Sequence, residues 1–214
     1  MPAQNGSASA LLTEAQFNQM FPARIAFYSY KGFIDAADAM SGFAKDGDTE
    51  TRRREIAAAL ANSAQESDNF KATREYNMAN WPLYCDKTST QYPCKGANQY
   101  YGRGPIQISW NFNYGAAGEY LKLDLLNNPD LVATDAKVAF QTMMWYWMTQ
   151  KGPGTMTSHE AIIGGKGFGE TIRSINGAVE CNGKGPGQVN NRVMYYNKIR
   201  QIMGVSKGSG NDAC

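Results

Sequence analysis

Two glutamates, Glu66 and Glu75, are the residues of this sequence best suited by type and neighbourhood to acid–base chemistry. Cleaving an acetal such as a glycosidic bond takes one carboxylic acid to protonate the leaving oxygen. It also takes a second carboxylate on the other face, acting as base or nucleophile. Nine residues on a continuous helix turn through about 900°, which would point the two side chains to opposite sides. They can share a site only if the chain reverses between them, and Ser67-Asp68-Asn69 supplies turn-forming residues for that reversal. Around the pair lie flat apolar side chains, Tyr76, Trp81, Tyr84, Tyr92, Tyr100 and Tyr101. Amide side chains accompany them, Asn77, Asn80, Gln107, Asn111 and Asn113. Spacing alone is a weak motif, and on that ground both glutamates could equally be ordinary surface carboxylates beside core aromatics.

Other chemistries find little support. The single histidine, His159, opens a predicted helix in Thr157-Ser158-His159-Glu160, with no Gly-x-Ser-x-Gly elbow to accompany it. Gly102-Arg103-Gly104-Pro105 lacks the Gly-Lys-Ser/Thr ending of a phosphate loop and reads as a tight turn. The four cysteines form no C-x-x-C pair, so no metal and no cofactor are expected. Three disulfide pairings are open. Closure of local loops favours Cys85–Cys94 and Cys181–Cys214, and disulfides imply an oxidising, extracellular compartment. With 21 Lys and Arg against 19 Asp and Glu, no basic face for nucleic acid emerges. Arg52-Arg53-Arg54 reads as a solvated helical turn. No apolar run is long enough to span a membrane, and nothing signals an oligomer, so a monomer is expected.

The elements that must position the pair are helical. Residues 1–11 lack the apolar stretch of a signal peptide and read as a flexible leader or linker remnant. Residues 12–214 then form one domain. Thr13 and Gln16 make a capping-box pattern for a helix to about Phe21. A second helix is predicted over Tyr30 to Met40, and a long one from Thr49 to about Gln65, with Ile56, Leu60 and Ala64 at helical spacing. Ser67 to Gly104 reads as irregular, with at most a small hairpin. Further helices are predicted at Asn111–Leu121, Asp135–Met148 (capped by Thr134), Ser158–Ile163, Gly169–Ile175 and Gln188–Met203. The class is mainly α, with long loops and at most a small β-hairpin or sheet.

One segment is far more specific than the glutamate spacing. Tyr100-Tyr101-Gly102-Arg103-Gly104-Pro105-Ile106-Gln107-Ile108-Ser109-Trp110-Asn111-Phe112-Asn113-Tyr114-Gly115 resembles the central signature of family 19 chitinases. Three blocks extend the resemblance in order: Arg54-Glu55-Ile56-Ala57-Ala58, Asp124-Leu125-Leu126-Asn127-Asn128-Pro129-Asp130-Leu131, and Ile175-Asn176-Gly177-Ala178-Val179-Glu180-Cys181. It covers roughly residues 12–214, in the compact bacterial or class IV form. The resemblance implies a lysozyme-like, two-lobed α-helical fold. It implies endo-hydrolysis of β-1,4-linked N-acetylglucosamine with inversion, a chitin or chitooligosaccharide substrate, and secretion.

By the same resemblance, Glu66 matches the general acid, Glu75 the general base, and Ser109 a residue holding the attacking water. Gln107, Asn113, Asn176, Tyr84, Tyr92 and Lys166 match substrate contacts. Arg192 and Glu180 match a charge pair supporting the acid, and the cysteines match two loop-local disulfides. An inverting pair needs carboxyls about 6.5–9.5 Å apart to admit water. Desolvation is expected to raise the Glu66 pKa and Arg192 to limit the rise, while Glu75 stays ionised. Gln65 stands where the family usually has His, Asp68 and Asn69 where it commonly has two glycines, and Phe112 where Tyr is frequent. Those departures leave a low-activity chitin-binding protein, or a peptidoglycan hydrolase of phage-lysin type, as alternatives.

Overall fold

The computed structural model describes residues 7–214. Its elements are helices α1 (Glu14–Met20), α2 (Tyr30–Ala39), α3 (Thr49–Glu66), α4 (Asn111–Leu121), α5 (Leu131–Thr134), α6 (Ala136–Thr149), α7 (Ser158–Ile163), α8 (Phe168–Glu180) and α9 (Pro186–Met203). Two 3-10 turns, Ala8–Ala10 and Met78–Leu83, complete them. The mainly α class therefore stands. In place of a hairpin, the described residues carry two isolated bridges, Arg74 with Arg103 and Arg103 with Ile108. No helix among the described residues is long and apolar enough to cross a membrane.

Helix α3 is the axis of the molecule. Asp48 caps it, accepting from Thr51 N at 2.7 Å, and its alanines at 57–59, 61 and 64 are fully buried. Small side chains let helices approach closely, and α3 lies along α9 while also meeting α6, α7 and α8. Its first turns are less solvated than expected. The Arg53 guanidinium donates to the Met203 carbonyl, and Arg54 donates to Ser206 O (3.1 Å) and pairs with Glu50. The arginine triplet thus ties the start of α3 to the chain leaving α9. Thr13 and Gln16 form the expected reciprocal capping box.

Three expectations need correction. Residues 7–11, assigned to a flexible leader, form a 3-10 turn capped by Ser7. There the Ala8 N–H donates to Asp38 (2.8 Å), and Ala8 and Leu11 join the core; residues 1–6 of that leader lie outside the described residues. Asp135, not Thr134, caps α6, accepting from Val138 N at 3.1 Å. Thr134 instead closes the short helix α5, its hydroxyl donating to Asp130 O. Helix α8 also continues past Ile175 to Glu180, across a break at Asn176 (φ −143°, ψ 25°).

The reversal after Glu66 is sharper than an ordinary turn. Asp68, Asn69 and Phe70 have φ of 50°, 57° and 61° in succession. Left-handed backbone costs a non-glycine residue roughly 1–2 kcal/mol, less for Asp and Asn. Phe70 offsets its share by full burial against Phe21, Tyr28 and Phe140, with centroids at 4.6, 5.2 and 6.1 Å. Burying such a ring is worth roughly 1.5–3 kcal/mol. Ser67 locks the corner: its hydroxyl donates to Ser63 O (2.6 Å) and accepts from Phe70 N (3.1 Å). Both disulfides form as local closure suggested, Cys85–Cys94 and Cys181–Cys214.

Candidate active site

Glu66 ends α3 against a buried charge cluster. Arg192, on α9 and 1% exposed, directs Nη2 at Glu66 Oε1. The same guanidinium donates twice to Glu180, from Nε to Oε2 and from Nη2 to Oε1, both at 2.7 Å. Nη1 donates to Asn62 Oδ1 (3.1 Å), and Asn62 in turn donates to Thr171 Oγ1 (2.9 Å). Burial works to lower the Arg192 pKa. The Glu66 and Glu180 carboxylates overcome it and hold the group above its usual value. Glu180 by itself already matches the guanidinium charge. Oε2 of Glu66 accepts no hydrogen bond from the described residues, and the side chain keeps 19% exposure.

Glu75 is held by loop rather than helix. Its N–H donates to Gly102 O (2.8 Å), and Gly104 N–H donates to Thr73 O (3.0 Å), so the segment runs beside the Gly102–Gly104 turn. Oε1 accepts from Asn80 Nδ2 (2.8 Å) and Tyr84 OH (3.1 Å). Burial first, and the Glu75 hydrogen bond second, raise the Tyr84 pKa, so the phenol remains a donor. Oε2 of Glu75 is buried without a partner. A buried carboxylate oxygen without a partner is costly in a folded core and calls for a hydrogen-bond donor.

Two cavities meet at Glu66. One, about 420 Å³, is lined by Gln65, Glu66, Asp68, Arg74, Glu75, Tyr76, Gln107, Asn191 and Tyr195 among others. The second, about 340 Å³, is lined by Glu66, Gln107, Ser109, Trp110, Asn113, Tyr146, Ile175 and Asn176. The turn after α3 thus brings Glu66 and Glu75 to one cavity. Ser109 Oγ donates to Gln107 O (2.9 Å), leaving its lone pairs to accept. Gln107 and Trp110 both hold positive φ, 53° and 75°, so local strain concentrates on this wall. Asn113 anchors to Ser109 O (2.9 Å), and Asn176, at the break in α8, donates to Glu180 (2.8 Å).

Several expected sugar contacts stand elsewhere. Tyr100 is core. Tyr101 is buried, stacked on Trp81 at 3.9 Å with the Arg103 guanidinium 3.6 Å over its other face, so both ring faces are covered and it lines neither cavity. Asn111 is fully buried and clamps the 85–94 loop through Asp86 N, Asp86 O and Tyr92 O. Tyr92 packs against Gly115, bonds to Glu119, and lines neither cavity. Lys166 is exposed and also lies outside both.

Residues that sequence reasoning passed over take their place. Tyr146, Asn191 and Tyr195 line the cavities. Their only signal was membership of α6 and α9, two helices that meet α3. Trp110 and Phe112 stack at 6.0 Å and form an exposed apolar shelf with Leu83 beside the second cavity. The cavities and the carboxylate pair form a cleft suited to a polar chain with apolar faces.

Comparison with known proteins agrees with this geometry. The chain is 45% identical to Chitinase 4 of Oryza sativa subsp. japonica, across 97% of this chain and 71% of that protein. Among solved structures, chitinase C from Streptomyces griseus HUT6037 matches with TM-score 0.93 and 53% identity, covering 99% of this chain and 100% of that one. A class IV chitinase from Zea mays matches with TM-score 0.84 and 39% identity, covering 96% and 98%. The glycoside hydrolase family 19 profile, described as chitinase class I, matches residues 11–214, and the chain belongs to that family.

Proposed function

We propose that this protein hydrolyses chitin within the chain, at β-1,4 bonds between N-acetylglucosamine units, with inversion at the anomeric carbon. One observation carries the assignment of roles. Glu66 and Glu75 line one cavity, the first backed by a charge-matched guanidinium, the second with an open carboxylate oxygen. Glu66 gives its proton to the leaving glycosidic oxygen. Water donates one O–H to Glu75 Oε2 and the other to Ser109 Oγ, which aims its lone pair at the anomeric carbon. Glu75 takes the proton as the new C–O bond forms. Gln107, Asn113 and Asn176 serve as hydrogen-bonding contacts for hydroxyl and acetamido groups. The Trp110–Phe112 shelf presents an apolar face of the kind on which a sugar ring can stack. Neither a binding-only protein nor a peptidoglycan hydrolase is favoured by any feature of the cleft.

The two disulfides support action outside the cell, as a secreted protein. The deciding experiment is ¹H NMR of soluble N-acetylglucosamine oligomers during the first minutes of digestion. The α-anomer is expected as the first product, and a β-anomer would overturn the inverting assignment.

A further inference from the structure

One carboxylate in the cleft has no part in the steps above. Asp68 lines the cavity that holds Glu66 and Glu75. The left-handed corner after α3 places it there, at φ 50°. Tyr76, also in the cavity lining and itself 68% exposed, donates its phenol hydrogen to Asp68 Oδ2 at 3.1 Å. Burial raises the Tyr76 pKa first and Asp68 second, so the phenol stays a donor. The bond restrains the carboxylate. The other oxygen, Oδ1, accepts no hydrogen bond from the described residues, and Asp68 as a residue is exposed.

Nearby cations do not neutralise it. Arg192 is committed to Glu180 and Glu66, and Arg74 approaches Asp130 at 3.7 Å. The remaining lining, Gln65, Gln107, Asn191 and Tyr195, is uncharged. A fixed, unpaired carboxylate here disfavours no neutral sugar and attracts a positive one. The positive unit of the proposed substrate's chemistry is a sugar whose acetamido group has been replaced by a free amine, an ammonium ion in mildly acidic solution.

We propose that Asp68 is a specificity-determining residue, whose free oxygen receives the ammonium group of a de-N-acetylated sugar in the cavity beside the reacting bond. This rests on the chitin-hydrolysing reading of the cleft. The advantage for a cationic chain should be two- to five-fold, the scale of an exposed ion pair held in good geometry, and salt should remove it.

The test compares wild type, Asp68→Asn and Tyr76→Phe on two soluble substrates, a fully acetylated oligomer and a partly deacetylated chitosan. It measures the ratio of the two kcat/KM values at low and high ionic strength. NMR reports which sugar type occupies the newly formed chain ends. Asn tolerates the left-handed backbone, so Asp68→Asn keeps the corner. The expected result is a two- to five-fold fall of the chitosan-to-oligomer ratio in Asp68→Asn. The same fall should follow from added salt in wild type, with loss of glucosamine from the new ends. Tyr76→Phe, which keeps the charge and loosens only its geometry, should lower the ratio less than Asp68→Asn does. An unchanged ratio in Asp68→Asn overturns the inference, and so does an equal fall in Tyr76→Phe, which would make the pair a steric strap. Failure of wild type to cut the acetylated oligomer would instead overturn the underlying chitinase reading, and this inference with it.

Discussion

Helix α3 carries a carboxylate near each end, and the two environments are opposites. Glu55 and Glu66 are eleven residues apart, about 20° from exact superposition along the helix, so they share one face. Asn62 lies on that face between them. Glu55 is fully buried, and donors surround it: Trp147 Nε1 (2.9 Å), Ala44 N (2.9 Å) and His159 Nδ1 (2.6 Å). Every approach to it is taken. Glu66 has one oxygen on Arg192 and the other open to a cavity. The same residue type on the same stripe is a structural clamp at one end and, at the other, the group to which the proposed function gives the reacting proton. What separates them is whether a lone pair is left over.

The comparison breaks most visibly under substitution of Glu66. Glu66→Gln keeps the shape and removes the proton, and turnover of soluble chitin oligomers should fall by about 10²–10⁴-fold. The melting temperature should stay close to that of wild type. A large loss of stability with little loss of activity per folded molecule would show the two ends to be alike.

Arg192→Met comes next. It removes the cation between Glu66 and Glu180 and leaves carboxylates buried without a counter-ion, a change that costs about 3–5 kcal/mol. Urea denaturation should register it as a lower midpoint with an unchanged slope. At the other end, Glu55→Gln should cost about 1–3 kcal/mol, because the amide points a donor at one of three donors already in place. Its activity per folded molecule should be near that of wild type. Denaturation and specific activity measured on both variants give the contrast directly.

The sequence carried the two ends unequally. Helical spacing and an N-cap at Asp48 made α3 legible nearly to its last residue. The need for a reversal after Glu66 followed from rotation per residue alone. Neither argument reached Glu55, because a glutamate following three arginines reads as surface, and only distant partners such as Trp147 and His159 bury it. The same limit applies to the site. Glu66, Glu75, Ser109, Gln107, Asn113 and Asn176 were named from the resemblance, and all line the cavities. Tyr92 and Lys166 were named by the same route and do not: Tyr92 packs against Gly115, and Lys166 is exposed. Tyr101 and Asn111 have sugar-site side chains by type. Whether such a side chain faces a cleft or stitches a loop depends on contacts far away in sequence.

The smallest expected effect concerns pH and sharpens the Glu55 end. His159 is 14% exposed, with Nδ1 on Glu55 and Nε2 3.3 Å from Asp46 Oδ2, so both ring nitrogens face carboxylates. That arrangement suits the doubly protonated ring, in which both nitrogens donate. Burial acts to lower the His159 pKa, and the Glu55 and Asp46 carboxylates outweigh it, leaving the group raised above its ordinary value near 6.5. A raised histidine binds its proton more tightly when folded. Its contribution is therefore complete below the unfolded pKa and is lost as pH rises through the folded one. Thermal melts of wild type and His159→Gln from acid to alkaline pH should differ most below about pH 6.5 and converge above the folded pKa. A gap that stays constant with pH would mean that His159 contributes packing alone, and that Glu55 is held by its two neutral donors.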